Sequence, residues 1–241
     1  MSRRVMEATP PPADERLFYG AHPSEFVDFR YPAPAGGAPL AINIHGGFWR
    51  ARRDLAHAGH LCAAFAAAGF VTANVEYRRA GEEGGGWPGT IDDVRTAVRF
   101  VRERFPDASF TVLLGHSAGG HLALAVAAET KGLNAVLALA AVSDPRRAWE
   151  LGLGDGAAAE FFGGTPAEFP ERYAMNRPLC PVVLIHGAAD DIVPVEMSRA
   201  FAGALLIEIP GADHFDLIDP ETPAFAEVLG CLKSRGPFLL R

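Results

Sequence analysis

The stretch Gly115-His116-Ser117-Ala118-Gly119-Gly120 decides how this chain folds, because of what flanks it. Residues 109–114 before it are mostly aliphatic and β-capable and read as a strand, while residues 118–129 after it read as an apolar helix. A G-x-S-x-G turn in that context has a physical purpose. Its glycines permit a turn so tight that the serine backbone is strained, and the turn presents Ser117 Oγ at the carboxyl end of the strand, where open α/β sheets bind ligands. The helix that follows aims its free N–H groups at the same point.

Outward from this turn the chain alternates between strand-like and helix-like segments. Residues 26–31, 39–44 and 70–75 read as strands on the amino-terminal side, and 134–142, 181–185 and 205–209 on the carboxyl-terminal side. Between them, Asp54 caps an Ala-rich helical stretch ended by Gly69, and Ile91, Val94, Val98 and Val101 recur at helical spacing. Further helices fit residues 194–202 and 222–233. Apolar strands alternating with helices predict a mostly parallel central sheet covered on both faces. The first twenty residues are polar and Pro-rich and are expected to be a flexible lead-in; residues 21–241 then form one domain. Residues 143–178 break the alternation with Gly, Pro and aromatics, a short insertion before the loop that carries the acid.

A serine hydroxyl attacks a carbonyl only when a base takes its proton. Of the eight histidines, His116 is expected to point away from a sharp turn, and His121 lies one turn into the helix. His57 and His60, with Asp54, have a spacing that imitates a metal site but more often marks a helix face, so no metal is expected. His214 in Gly211-Ala-Asp-His-Phe-Asp216 follows the last strand, and loops at that end of a parallel sheet converge on the nucleophile. The acid belongs between serine and histidine. His186-Gly-Ala-Ala-Asp190-Asp191-Ile-Val-Pro194 follows the penultimate strand, and its frame selects Asp190, with Asp191 as the alternative. Ser117, Asp190, His214 is the chain order of a hydrolytic triad on a parallel sheet.

The oxygen that becomes negative during acyl transfer needs donors. His45-Gly46-Gly47-Phe48-Trp49 follows the first core strand, and its glycines let backbone N–H groups approach; Ala118 N–H supplies the other expected donor. Together these motifs resemble the α/β-hydrolase superfamily, in the branch holding microbial carboxylesterases and kynurenine formamidases (arylformamidases). The resemblance rests on H-G-G-F-W at 45–49, G-H-S-A-G-G-H-L at 115–122, the Asp190 motif, and D-H-F-D-L-I at 213–218, and spans most of the chain from about residue 40. Lipase-like esterases usually have a third glycine where this chain has Phe48, and kynurenine formamidases often have Ala where it has Gly120. The resemblance implies an α/β-hydrolase fold and a cofactor-free serine hydrolase of small carboxylic esters or aryl formamides, working through an acyl- or formyl-enzyme. Phe48, Trp49 and Trp149 are the aromatic positions expected to rim the substrate pocket.

Composition narrows the alternatives. The 22 basic and 29 acidic side chains leave a formal charge of −7, which argues against nucleic-acid binding. The longest near-continuous apolar stretch, residues 61–75, is broken by Gly69 and shorter than the roughly 20 residues of a membrane span. Arg3-Arg4 is followed by Glu7 and three prolines rather than an apolar segment, so the expected location is cytoplasmic. Cys62, Cys180 and Cys231 are odd in number and widely spaced, unlike a disulfide framework. Two other functions share parts of the pattern. A prolyl-oligopeptidase-like peptidase usually brings a propeller for which 241 residues leave no room. A non-catalytic binding module would normally have lost serine, acid or histidine. The sequence leaves the oligomeric state open.

Overall fold

The computed structural model describes residues 3–33 and 36–234; the expected domain's last residues, 235–241, lie outside the described residues. Among these, eight strands form one sheet: β1 (Glu15–Phe18), β2 (Phe26–Arg30), β3 (Leu40–Ile44), β4 (Val71–Val75), β5 (Thr111–His116), β6 (Ala135–Leu139), β7 (Val182–Gly187) and β8 (Leu205–Ile209). Their order is β1-β2-β4-β3-β5-β6-β7-β8. β1 and β2 run antiparallel at one edge, and β4 through β8 are parallel. The helices are α1 (Arg4–Glu7), α2 (Gly59–Ala67), preceded by a 3₁₀ turn at Leu55–Ala58, α3 (Gly89–Arg104), α4 (Ala118–Ala127), α5 (Pro145–Glu150), α6 (Leu153–Phe162), α7 (Glu196–Ala200) and α8 (Pro223–Ser234).

β3, β4, β5 and β6 are buried at every residue, as expected of parallel strands covered on both faces. Alternation along β5 divides the core in two. Leu113 packs in one cluster with Ile42, Val98 and Leu122, and Val112 and Leu114 pack in the other with Leu61, Phe65 and Val228. Because the central strands are parallel, the loops after β3, β5, β7 and β8 all leave the same edge of the sheet. The register sets their heights: Ile44 lies beside Gly115, and Gly187 beside Ile209.

The expected flexible lead-in is a correction. Residues 4–7 are helical and 15–18 are the edge strand β1. Val5 is buried in the cluster that holds Leu61 and Leu217, and Arg4 is ion-paired with Asp219 and Glu221. Arg30 donates to the Pro11 carbonyl at 2.6 Å, fastening the Pro-rich run between them. One buried valine in a polar stretch carries too little periodicity to be read from sequence. The insertion holds α5 and α6, and α6 is interrupted by left-handed residues from Gly154 to Gly156.

Candidate active site

Ser117 joins β5 to α4 with φ 57° and ψ −122°, a backbone conformation that costs an L residue about 1–3 kcal/mol. Its neighbours hold it there by leaving no space for side chains. A Cβ on Gly119 would lie 2.1 Å from the Ile44 carbonyl oxygen, and one on Gly115 would lie 2.2 Å from that of Gly119. Ser117 N–H donates to the Leu139 carbonyl at 2.9 Å, and its carbonyl accepts from Val142 N–H at 3.1 Å, so β6 also fixes the turn. Gly120 meets the same demand, because a Cβ there would fall 2.5 Å from Ala141 Cβ.

His214 Nδ1 lies 2.7 Å from Asp190 Oδ2. Asp190 Oδ1 accepts the Ile192 and Val193 N–H groups, both at 2.8 Å, which leaves Oδ2 to face the imidazole. Asp191, the sequence alternative, is exposed and turned outward. The two loops are joined by backbone: Ala188 N–H donates to Ile209 and Ala189 N–H to Ala212, at 2.9 and 3.0 Å. Burial would push the Asp190 carboxyl up, but hydrogen bonds from His186 and His214 outweigh it and hold Asp190 below the usual carboxylate range. His186 is a residue that the sequence reading missed in this role. Its Nε2 faces the Val193 carbonyl at 2.9 Å and Asp190 Oδ2 at 3.2 Å, and its Nδ1 lies 2.7 Å from Ser198 Oγ. Asp213 and Asp216 cap the histidine loop: Asp213 accepts from Phe215 N–H at 2.9 Å, and Asp216 from Asp213 N–H at 2.8 Å.

His116 does not point away, as the turn suggested. Its ring lies 4.5 Å from that of His214, and its Nε2–H donates to the His214 carbonyl at 2.9 Å. Burial, reinforced by His214, lowers its basicity far below that of an ordinary imidazole, so it remains neutral. His121 is a core residue set edge-on to Trp49, Phe161 and Phe162.

The loop after β3 sits over Ser117. A Cβ on Gly46 would lie 3.0 Å from Ser117 Cβ, and Gly47 has φ +123° with Arg53 Cβ only 2.6 Å from where its own Cβ would be. Phe48 and Trp49 follow with φ 53° and 58°. A buried polar network holds this loop in place. His45 Nε2 lies 2.9 Å from Glu76 Oε1, Leu55 N–H donates to Glu76 Oε2 at 2.9 Å, and Tyr77 Oη donates to the His45 carbonyl at 2.7 Å. Glu76 and Tyr77 carry no motif, and only the pairing of β4 with β3 brings them here.

Ser117 and His214 line one cavity of about 330 Å³, with Phe48, Ile192 and Phe215 among its apolar walls. Two expected rim residues are elsewhere. The left-handed turn sends Trp49 back into the core, 1% exposed and stacked on Phe161 at 5.0 Å. Trp149 projects from α5 at the surface and is not among the residues lining the cavity. The sequence reading also missed Arg3, Met6 and Glu7, which close one side, and Arg52, Arg53 and His57. Among the described residues no group of three or more His, Cys, Asp or Glu is arranged to hold a metal.

A serine on a strained strand–helix turn after β5, with acid and histidine after β7 and β8 of the same parallel sheet, defines the α/β-hydrolase fold. A family model described as BD-FAE matches residues 27–142, a span that includes the Gly46-Gly47 loop and Ser117 and ends before Asp190. In sequence the chain is similar to Esterase LipC of Mycobacterium tuberculosis (strain ATCC 25618 / H37Rv), 28% identical over a gapped alignment of 256 positions that covers 85% of this chain and 60% of LipC. It is also similar to Esterase LipQ of the same organism, 28% identical over 221 residues, covering 77% of this chain and 52% of LipQ. The chain therefore spans roughly half to three-fifths of the length of these relatives. In structure it is similar to a truncated form of a carbohydrate esterase from gut microbiota, with TM-score 0.76, 22% identity, and coverage of 95% of this chain and 99% of the other.

Proposed function

We propose that this chain is a cofactor-free serine hydrolase of small carboxylic esters, with Ser117 as nucleophile, His214 as general base and Asp190 as the acid that orients it. The observation that carries this reading is geometric: the strained serine and the Asp190-bound His214 line one cavity of about 330 Å³, a volume suited to a small substrate. Ser117 Oγ attacks the ester carbonyl as its proton passes to His214 Nε2, and the carbonyl oxygen becomes an oxyanion. The backbone N–H groups of Gly46, Gly47 and Ala118 are its proposed donors. Collapse of this intermediate breaks the ester C–O bond, and the leaving alkoxide takes the proton from His214. Water then attacks the acyl-enzyme with His214 again as base, releasing the acid and restoring Ser117. Asp190 accepts Nδ1–H throughout, which sets the tautomer and stabilises the imidazolium.

The relatives named esterases support ester over other acyl chemistry. Aryl formamides use the same machinery, and an arylformamidase-like activity is the finer form of this reading that a substrate comparison decides. The Ser117→Ala variant and the wild type are to be compared on 4-nitrophenyl acetate and N-formylkynurenine, with fluorophosphonate labelling of both. Labelling of the wild type alone, with ester turnover lost in the variant, supports the serine mechanism. An unlabelled wild type with no turnover would favour a binding module on this fold. The expected location is the cytoplasm: Cys62, Cys180 and Cys231 are all free thiols, which suits a reducing compartment, and no described helix is long and apolar enough to cross a membrane.

A further inference from the structure

The cavity beside Ser117 has an unusual charge for this chain. Three of its lining residues are arginines, Arg3, Arg52 and Arg53, against one carboxylate, Glu7, on a protein whose formal charge is −7. Elsewhere on the same side, guanidinium groups are matched: Arg50 with Glu160, Arg78 with Asp93 and Arg79 with Glu82. Among the described residues, Arg3, Arg52 and Arg53 have no ion-pair partner. Asp54 follows directly, but its carboxylate accepts Ala56 N–H at 3.0 Å to cap the 3₁₀ turn.

The backbone beneath these cations is fixed even though their heads are exposed. Arg53 N–H donates to the Arg50 carbonyl at 3.2 Å, its own carbonyl accepts from Arg79 Nη1 at 2.7 Å, and its Cβ fills the space against Gly47. Arg3 comes from a separate segment at the start of α1, which the buried Val5 and the Arg4–Asp219 pair anchor. Two segments far apart in sequence thus bring unmatched positive charge to the rim of one site. His57 adds none, since burial, reinforced by His45, pushes it down to about 3.

We infer that the cavity selects esters that carry a carboxylate, with Arg52, Arg53 and Arg3 as the residues that set this specificity and Met6, Phe48, Ile192 and Phe215 receiving the substrate's apolar body. The inference rests on the serine-hydrolase reading above and adds the substrate class. A carboxylate is the matching chemistry because guanidinium groups bind it through paired, charge-assisted hydrogen bonds, and a partly enclosed site screens the attraction less than open water does. The anion can sit on the acyl side or on the leaving group, and the two sources separate experimentally.

The test uses two matched pairs: 4-nitrophenyl hydrogen adipate against 4-nitrophenyl hexanoate, and 4-acetoxybenzoate against 4-acetoxybenzamide. In at least one pair the charged member is expected to have the higher kcat/KM, and that pair identifies the side on which the anion is held. In R52Q/R53Q the charged-to-neutral ratio should fall by about tenfold, and 0.5 M salt should erode it in the wild type. A ratio below one in both pairs, or one indifferent to R52Q/R53Q and to salt, overturns the assignment. Turnover of the neutral esters together with fluorophosphonate labelling distinguishes that failure from failure of the Ser117 mechanism, in which neither would occur.

Discussion

His57, His116 and His121 should make the folded chain acid-sensitive well before its carboxylates are protonated. All three are buried. Burial, reinforced by His45, pushes His57 down to about 3; burial alone does the same to His121. Burial together with His214 takes His116 well below its ordinary value. In the unfolded chain each ring titrates near its ordinary value of about 6.5. Below that pH the unfolded form therefore binds protons that the folded form refuses, and stability falls as the pH falls. From pH 7.5 to 5.5 each ring contributes a loss of roughly 1.4 kcal/mol, about 4 kcal/mol for the three, against a total stability on the order of 5–15 kcal/mol for a domain. For a chain of this length that is a drop in Tm of roughly 8–16 °C. Asp190 acts in a separate window: its lowered carboxyl stabilises the fold above about pH 4, and that contribution is lost only as the pH falls further. Melting curves by circular dichroism at pH 7.5, 6.5 and 5.5 and constant ionic strength measure the effect, and His121→Gln should remove about a third of it. A Tm shift under about 3 °C over that range, or a pH dependence unaltered in His121→Gln, would refute the reasoning.

Ser117→Ala should lower kcat by on the order of 10⁴-fold or more while the melting curve stays close to wild type, since one oxygen is removed at a turn held by its neighbours; activity within a few-fold of wild type would eliminate the mechanism. Asp190→Asn should cost on the order of 10⁴-fold in kcat, because only Asp190 faces His214 Nδ1, whereas Asp191→Asn should stay within a few-fold; the reverse ranking would contradict the 2.7 Å contact. Iodoacetamide at pH 7.5 should leave activity intact, because burial pushes the Cys62 thiol up to about 12 and those of Cys180 and Cys231 to about 11. EDTA should have no effect on turnover; a loss restored by a divalent ion would bring His57 and His60 back as ligands.

What the sequence by itself determined was whatever is encoded locally. Gly115, Gly119 and Gly120 announce a turn in which a Cβ has no room, and apolar strands alternating with helices dictate a parallel sheet. Parallel strands send their outgoing loops to one edge, so the Gly46-Gly47, Ser117, Asp190 and His214 segments had to converge once the alternation was read. Tertiary structure decided which side chains those loops deliver. Two consecutive left-handed residues put Phe48 on the cavity and Trp49 in the core, and no local pattern distinguishes those two aromatics. The choice of Asp190 over Asp191 as the partner of His214 follows from two backbone N–H bonds that turn one carboxylate inward. Glu76 reaches His45, and Arg3 the cavity beside Ser117, through strand pairing and the packing of one buried valine. Those contacts join residues 31 and more positions apart, and periodicity within a segment carries no information about a partner at that distance.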